Sequence, residues 1–171
     1  GRVTVINSGG SGQNSDWGKK NLQAKVLDHR PDLVLIEFSY NDAHEKFKMP
    51  VERGAENLAF IVGGIRQQNP EVAVILQIMN IPWDAPGDRR PASSRPQLKE
   101  FNDNYRTYAK THGLPLLDHS IAFRHILETD PEKYHRWLPD GSHPNKVASL
   151  AVTWKGIREF LEKAQSAAKA E

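Results

Sequence analysis

The stretch Asp140-Gly141-Ser142-His143-Pro144-Asn145 places a carboxylate three residues before an imidazole, directly ahead of a helix predicted from Asn145 to about Lys163. In a hydrolase, such a carboxylate accepts a hydrogen bond from Nδ1 of the imidazole and leaves Nε2 free to take a proton from a nucleophile. The alternative is that Asp140 only caps the helix and His143 lies on the surface, because Asp is a common N-terminal cap. Spacing alone does not separate the two interpretations.

Two more polar turns each follow an apolar run. The β-branched run Arg2–Asn7 ends at a glycine-rich turn, Ser8–Ser15, which predicts a buried strand leading into a loop of the kind found in active sites. The run Leu33–Phe38 is almost continuously apolar, which is typical of a strand covered on both faces, and it ends at Ser39-Tyr40-Asn41-Asp42.

The remaining elements alternate along the chain, and the alternation predicts a parallel sheet with helices on both faces, a three-layer α/β/α domain of flavodoxin-like type. Loops at the carboxyl ends of such strands form the ligand crevice. We expect irregular loops over residues 80–96 and 129–143, a single domain over residues 1–171, and an Ala/Lys-rich tail over residues 164–171 that frays. Further strands are predicted over 72–79 and 114–118, and helices over 17–29, 51–68, 98–112 and 121–128.

Composition excludes several classes of protein. The net charge is only +2 over 171 residues, without a dense basic run, so nucleic-acid binding is not indicated. The absence of cysteine excludes disulfides, thiolate catalysis and cysteine-bound zinc. No apolar run approaches the roughly 20 residues of a membrane span. We expect neither a metal nor another cofactor, because the spacing matches no ligand set for the histidines at 44, 112, 119, 125 and 135.

Three of these segments together resemble one family. Asn7-Ser8-Gly9-Gly10-Ser11-Gly12, Ser39-Tyr40-Asn41-Asp42 and Asp140-Gly141-Ser142-His143-Pro144 are similar to the second, third and fifth sequence blocks of the SGNH (GDSL-type) ester hydrolases, in the family's order. The resemblance spans nearly the whole chain. One departure is mild: the third block usually begins with glycine, where this chain has Ser39.

The resemblance implies a role for each matching residue. Gly12 would lend a backbone N–H to an oxyanion hole, and Asn41 would lend its side-chain amide. His143 would be the general base and Asp140 its partner. An ordinary turn glycine, and an asparagine that satisfies its own loop backbone, are the alternatives for the first two residues. Trp83 and Trp137 could form a platform for stacking a sugar, or could pack in the core.

The family's first block, a Gly-Asp-Ser segment with the nucleophilic serine, has no counterpart in this chain. We therefore expect an N-terminally incomplete domain without its first, central strand. Three hypotheses follow: a separate N-terminal segment supplies the serine, Ser11 replaces it, or the chain is a non-catalytic carbohydrate-binding descendant of the fold. Ser11 lacks the Gly-x-Ser-x-Gly pattern of a nucleophile elbow.

The implied activity is hydrolysis of carboxylic esters through an acyl-enzyme. Polar, tryptophan-bearing loops and the lack of a long apolar flap favour small-molecule or glycan ester substrates, with short acyl groups such as acetyl on a carbohydrate. The alternative is a lipase, lysophospholipase or thioesterase that acts on longer acyl chains.

Overall fold

The described residues include one three-stranded sheet. The computed structural model of the protein describes residues 3–87 and 91–168. Its strands are β1 (Leu33–Ile36), β2 (Ala73–Ile78) and β3 (Leu116–Asp118), in the order β1-β2-β3. β1 and β2 are parallel, with Leu33 opposite Ala73 and Ile36 opposite Leu76. The sequence thus correctly predicted these strands, although each is shorter than expected.

The predicted strand over residues 2–7 is wrong for the part that the structure describes. Residues 3–7 have no regular structure, and Val3 and Val5 are 88% and 87% exposed. A β-branched run becomes a strand only where a neighbouring strand accepts its backbone hydrogen bonds. The described residues provide no such neighbour for this segment.

Full burial of β1 was also an incorrect prediction. Ile36 is 3% exposed, but Leu35 is 39% exposed. The reason is the strand order, which places β1 at the end of the sheet in the described part of the chain, where it pairs along one edge only.

Helices cover most of the remaining described residues, and the helices predicted over 51–68 and 98–112 are confirmed at both ends. They are α1 (Ser15–Lys25), α2 (Ser39–Asp42), α3 (Val51–Gln68), α4 (Leu98–His112), α5 (His119–Thr129), α6 (Pro131–Trp137), α7 (Lys146–Ala148) and α8 (Lys155–Ala168), with 3-10 turns at Leu27–His29 and Glu45–Phe47 and a π-helical segment at Ser149–Trp154.

The position of α6 corrects the prediction that residues 129–143 form an irregular loop. Asp130 caps this helix by accepting a hydrogen bond from the backbone N–H of Lys133 at 3.0 Å, and Pro131 occupies its first turn. Both are helix-start signals that the sequence already contained. At the other end of the chain, α8 continues to Ala168, so the tail that was expected to fray begins inside a helix, and residues 169–171 lie outside the described residues.

The chain divides into two compact units, each with its own core. Unit 1 comprises the described residues up to Leu76 together with Gln97–Pro115, and unit 2 comprises the described residues of Gln77–Pro96 and of Leu116 onward. In unit 1, α3 buries one face with the spacing of an amphipathic helix, and in unit 2 a cluster around Phe123 is fully buried. These core residues are Leu58, Ile61, Val62 and Ile65 in unit 1, and Phe123, Tyr134, Leu138 and Ala148 in unit 2.

A membrane-spanning helix is not found among residues 3–87 and 91–168, where every helix is too short or too polar to cross a bilayer.

Candidate active site

The loop between α6 and α7 in unit 2 brings Asp140 and His143 together. The carboxylate of Asp140 accepts hydrogen bonds from the backbone N–H of Ser142 at 2.9 Å and of His143 at 2.7 Å. Its other oxygen lies 2.6 Å from Nδ1 of His143. Asp140 therefore orders the loop backbone and orients the imidazole, but it does not cap the following helix: the cap of α7 is Asn145, whose side chain accepts from the Ala148 N–H at 3.0 Å.

Hydrogen bonding keeps Asp140 ionised. Partial burial works to raise the pKa of this carboxyl group, but the backbone and ring hydrogen bonds from His143 and the backbone N–H of Ser142 outweigh burial and lower the pKa from 3.8 to about 2. Since an ionised carboxylate can only accept, Nδ1 of His143 must carry the proton. The His143 side chain is 81% exposed, and its Nε2 makes no hydrogen bond or ion pair within the part of the chain that the structure describes. The ring is thus held in the tautomer of a general base.

Gly141 lets this loop pass against the chain around Trp83. Its φ is +75°, and a Cβ at this position would lie 2.1 Å from the Trp83 carbonyl oxygen. The two residues are also joined by a hydrogen bond from the Trp83 N–H to the Gly141 carbonyl at 3.0 Å. Only glycine fits here, because it alone combines a left-handed backbone with no side chain.

Two residues after β2 support the loop, and the motif analysis did not assign them this role. The side-chain amide of Asn80, which is 2% exposed, donates to the Ser142 carbonyl at 2.9 Å. The indole N–H of Trp83 donates to the Leu138 carbonyl at 2.8 Å. The only signal in the sequence was their place in the long loop after a strand.

Trp83 and Trp137 take part in packing within unit 2. The ring of Trp83 stacks on His135 with centroids 4.0 Å apart, and both tryptophans pack against the Phe123 cluster. Nζ of Lys133 lies 4.7 Å from the ring centroid of Trp137. These contacts agree with the packing alternative, and stacking of a sugar on either ring stays a prediction.

In unit 1, Gly12 and Asn41 are linked through Gln13, the residue that follows Gly12 in the chain. Gly12 has a φ of +64° and is exposed, in a turn closed by a hydrogen bond from the Gln13 N–H to the Gly10 carbonyl at 3.2 Å. The side-chain amide of Asn41 donates to the Gln13 carbonyl at 2.9 Å. A primary amide has two N–H groups, and this hydrogen bond uses one of them to anchor Asn41 to the turn.

Asp42 follows Asn41 in the chain, contacts the start of α1, and is another residue that the motif analysis did not single out. It is 2% exposed and accepts a hydrogen bond from the backbone N–H of Ser15 at 2.7 Å. Burial raises the pKa of Asp42 from 3.8 to about 6, against the opposing effect of the Ser15 hydrogen bonds.

Ser39, the departure from the family pattern, is fully buried. Its hydroxyl lies 3.0 Å from a carboxylate oxygen of Glu37 and 2.8 Å from the amide oxygen of Asn102, and it therefore helps to hold α2 on α4. Ser11, the alternative nucleophile, lies exposed in the glycine turn, and its role stays a prediction.

No group of three or more histidine, aspartate and glutamate side chains that could hold a metal ion is found in residues 3–87 and 91–168. His119 is buried and contacts the Gln77 side-chain oxygen through Nε2 at 3.2 Å. Burial lowers its pKa, despite the nearby charge of Asp118, so we interpret it as a neutral packing residue.

Comparison with known proteins gives one consistent result. Residues 1–148 match the model of the GDSL-like lipase/acylhydrolase family. An arylesterase from Vibrio mimicus is 31% identical over 160 residues, which cover 93% of this chain and 68% of the relative. Thioesterase 1/protease 1/lysophospholipase L1 from Escherichia coli is 28% identical over 149 residues, or 86% of this chain and 62% of the relative.

A solved structure agrees with these matches. The lipase/acylhydrolase from Enterococcus faecalis superposes with a TM-score of 0.64 at 28% identity, covering 86% of this chain and 72% of the other. Against the curated relatives the chain is short: it spans 60% of a lipoprotein from Bacillus subtilis and 62% of the Escherichia coli thioesterase.

Proposed function

The chain belongs to the GDSL-like lipase/acylhydrolase family, and we propose that it supplies the general base and the oxyanion-binding groups of a serine ester hydrolase. The observation that carries this proposal is the 2.6 Å contact between Nδ1 of His143 and the ionised carboxylate of Asp140. A carboxylate that only ordered the loop backbone would need the two backbone hydrogen bonds but not the third one to the ring.

In the proposed mechanism, Nε2 of His143 takes the proton of a serine hydroxyl as the serine oxygen attacks the ester carbonyl. Hydrogen bonds from the Gly12 N–H and the second N–H of the Asn41 amide stabilise the negative charge that develops on the carbonyl oxygen. Each donor of this kind typically lowers the barrier by about 2.7 to 4 kcal/mol. The imidazolium, paired with Asp140, then protonates the leaving alkoxide, and the same base activates the water that releases the acyl group.

The proposal has three versions, which differ in whether a nucleophilic serine is present and in where it lies. We favour a serine on a segment outside residues 1–171, because the second, third and fifth blocks are present here and the first is not. The test is to treat the purified protein with a fluorophosphonate, which labels activated serines, and to map the label by mass spectrometry. A label on a segment outside this chain supports the favoured version, and a label on Ser11 replaces it. No label on a folded sample would favour the non-catalytic carbohydrate-binding version.

We propose short-chain acyl esters of carbohydrates as the substrates. The exposed position of His143 supports this choice: its side chain is 81% exposed, so the described residues of its own unit place little apolar surface over the ring that could hold a long acyl chain. The name of one relative, thioesterase 1/protease 1/lysophospholipase L1, keeps a lipase, lysophospholipase or thioesterase acting on longer acyl chains as the alternative. Rates on 4-nitrophenyl acetate and 4-nitrophenyl octanoate decide between the two.

The same assay tests the general base with His143→Ala, and the control variant is His135→Ala. His135 is a histidine of the same unit that stacks on Trp83 instead of contacting Asp140. Hydrolysis that is lost only in His143→Ala supports the proposal. Equal hydrolysis in wild type and His143→Ala would overturn it.

A further inference from the structure

We infer that Asp42 is a positioning residue for the oxyanion hole. Its buried carboxylate joins the start of α1 to α2 and so fixes the position of Gly12 relative to Asn41. This inference rests on the proposed function of those two residues. It adds a residue whose side chain contacts neither the substrate nor the base.

Two hydrogen bonds run in opposite directions between the two segments. Asn41 donates from α2 to the Gln13 carbonyl at 2.9 Å, and Ser15 at the start of α1 donates back to Asp42 at 2.7 Å. The accepting and donating residues flank Asn14, which caps α1 by accepting from the Trp17 N–H at 3.2 Å. Asn41 and Asp42, which are neighbours in the short helix α2, thus hold the chain at the end of the glycine turn.

The cost of burying Asp42 indicates that the clamp is functional. The side chain is 2% exposed, and no lysine, arginine or histidine forms an ion pair with it in the described ranges. A buried carboxylate without a cation destabilises a fold, so stability alone would favour an uncharged residue here. A charged acceptor nevertheless makes a shorter and stronger hydrogen bond to a backbone N–H than an amide oxygen does. Positional precision at a catalytic turn is a benefit that can outweigh that cost.

The surroundings of Asp42 define what else could titrate with it. Ser15 Oγ accepts a hydrogen bond from the buried Asn57 at 3.0 Å, and a Cβ on Gly54 would lie 3.5 Å from the second Asp42 oxygen. Asp16 is the nearby like charge that also raises the pKa of Asp42. Tyr105, which is fully buried, feels the Asp42 charge, and its own pKa is raised well above 10, mainly by burial, so it stays protonated throughout the neutral range.

The kinetic test compares Asp42→Ala with Asp42→Asn in the intact protein. The alanine variant loses the acceptor for the Ser15 N–H, whereas the asparagine variant keeps an oxygen there. We expect Asp42→Ala to lower kcat by about 10- to 100-fold with KM within about twofold, since displacement of a catalytic group by 1 Å can cost about 100-fold. Asp42→Asn should recover at least a third of the lost activity. Asp16→Asn, at the same helix start, is the control and should leave kcat unchanged.

A second measurement is independent of turnover and of folding of the alanine variant. Backbone and side-chain ¹⁵N–¹H signals of Gly12 and Asn41, followed from pH 4.5 to 8, should shift in wild type and Asp16→Asn with a midpoint near that of Asp42, and the shift should vanish in Asp42→Asn. Two results would overturn the inference: Gly12 and Asn41 signals that do not shift as Asp42 titrates, or an Asp42→Ala variant with the wild-type kcat. If wild type hydrolyses no ester but the signals shift, the proposed function fails, and with it the oxyanion-hole role, although Asp42 still sets the conformation of Gly12 and Asn41.

Discussion

Replacement of Asp140 by asparagine isolates the orienting role of the carboxylate. The asparagine oxygen can still accept from the backbone N–H groups of Ser142 and His143, which lie 2.9 and 2.7 Å from the carboxylate in the structure. Its NH₂ group would then face Nδ1 of His143. Since two donors cannot share a hydrogen bond, Nδ1 would become the acceptor and the proton would move to Nε2, where it blocks the general base.

The size of the effect follows from the geometry. Two unit charges 2.6 Å apart attract by about 1.6 kcal/mol in a medium as polar as water, which is the appropriate limit because the ring of His143 is 81% exposed. Losing that attraction for the imidazolium alone would slow the reaction about 15-fold. The reversed tautomer adds to this loss, and the same change in serine-protease triads costs about 10⁴. We therefore expect kcat to fall between about 10²- and 10⁴-fold.

The assay is hydrolysis of 4-nitrophenyl acetate by the intact protein, together with the ¹⁵N spectrum of the His143 ring at neutral pH. Wild type should carry its ring proton on Nδ1, and Asp140→Asn should carry it on Nε2. Asp130→Asn is the matched control, because Asp130 also accepts a backbone N–H in unit 2 but caps α6 instead of contacting His143. A variant at 140 that keeps the Nδ1 proton and at least a third of the wild-type kcat would refute the assignment of Asp140 as the orienting group.

Three further predictions concern stability. Gly141→Ala should lower the free energy of unfolding in urea by about 2 to 5 kcal/mol, from left-handed strain plus a clash with a backbone carbonyl, whereas Gly113→Ala at a φ of +61° with open space should cost only about 1 to 2 kcal/mol. In α3, the new Cβ of Gly54→Ala would lie 2.7 Å from the Phe101 ring, so this variant should lower the free energy of unfolding by about 1 to 3 kcal/mol. The Cβ of Gly63→Ala would meet nothing within 4 Å, so that variant should raise the free energy of unfolding by about 0.5 to 1 kcal/mol. Equal melting temperatures of the two variants would contradict this prediction. Because the pKa of Asp42 is raised to about 6, the folded state binds its proton more tightly than the unfolded state. The unfolding free energy should therefore fall as pH rises from about 4 to about 6, and Asp42→Asn should flatten that slope.

Much of the helical framework was predictable because its signals are local. The apolar spacing of α3 and the glycine after α4 specify helices that the structure confirms at Val51–Gln68 and Leu98–His112. The Asp140–His143 contact was one of the two outcomes that the sequence offered, since a spacing of three residues in one loop permits the contact but does not require it. The α6 start signals were equally local, and the failure there was one of interpretation.

Features that depend on distant neighbours were not predictable in this way. The run from Val3 to Asn7 has the composition of a strand, yet whether it becomes one depends on a partner strand and not on its own residues. Likewise, nothing around Trp83 in the sequence indicates that its carbonyl lies where a side chain on Gly141 would stand.

The sequence by itself determined the helices at Val51–Gln68 and Leu98–His112 and placed Asp140 within reach of His143, because these features depend on residues close together in the chain. Only the tertiary structure decided that Asp42 is buried against the start of α1 with a raised pKa, and that Asn80 and Trp83 support the histidine loop. Burial and long-range hydrogen bonds arise when distant segments pack together, and local spacing carries no record of that packing.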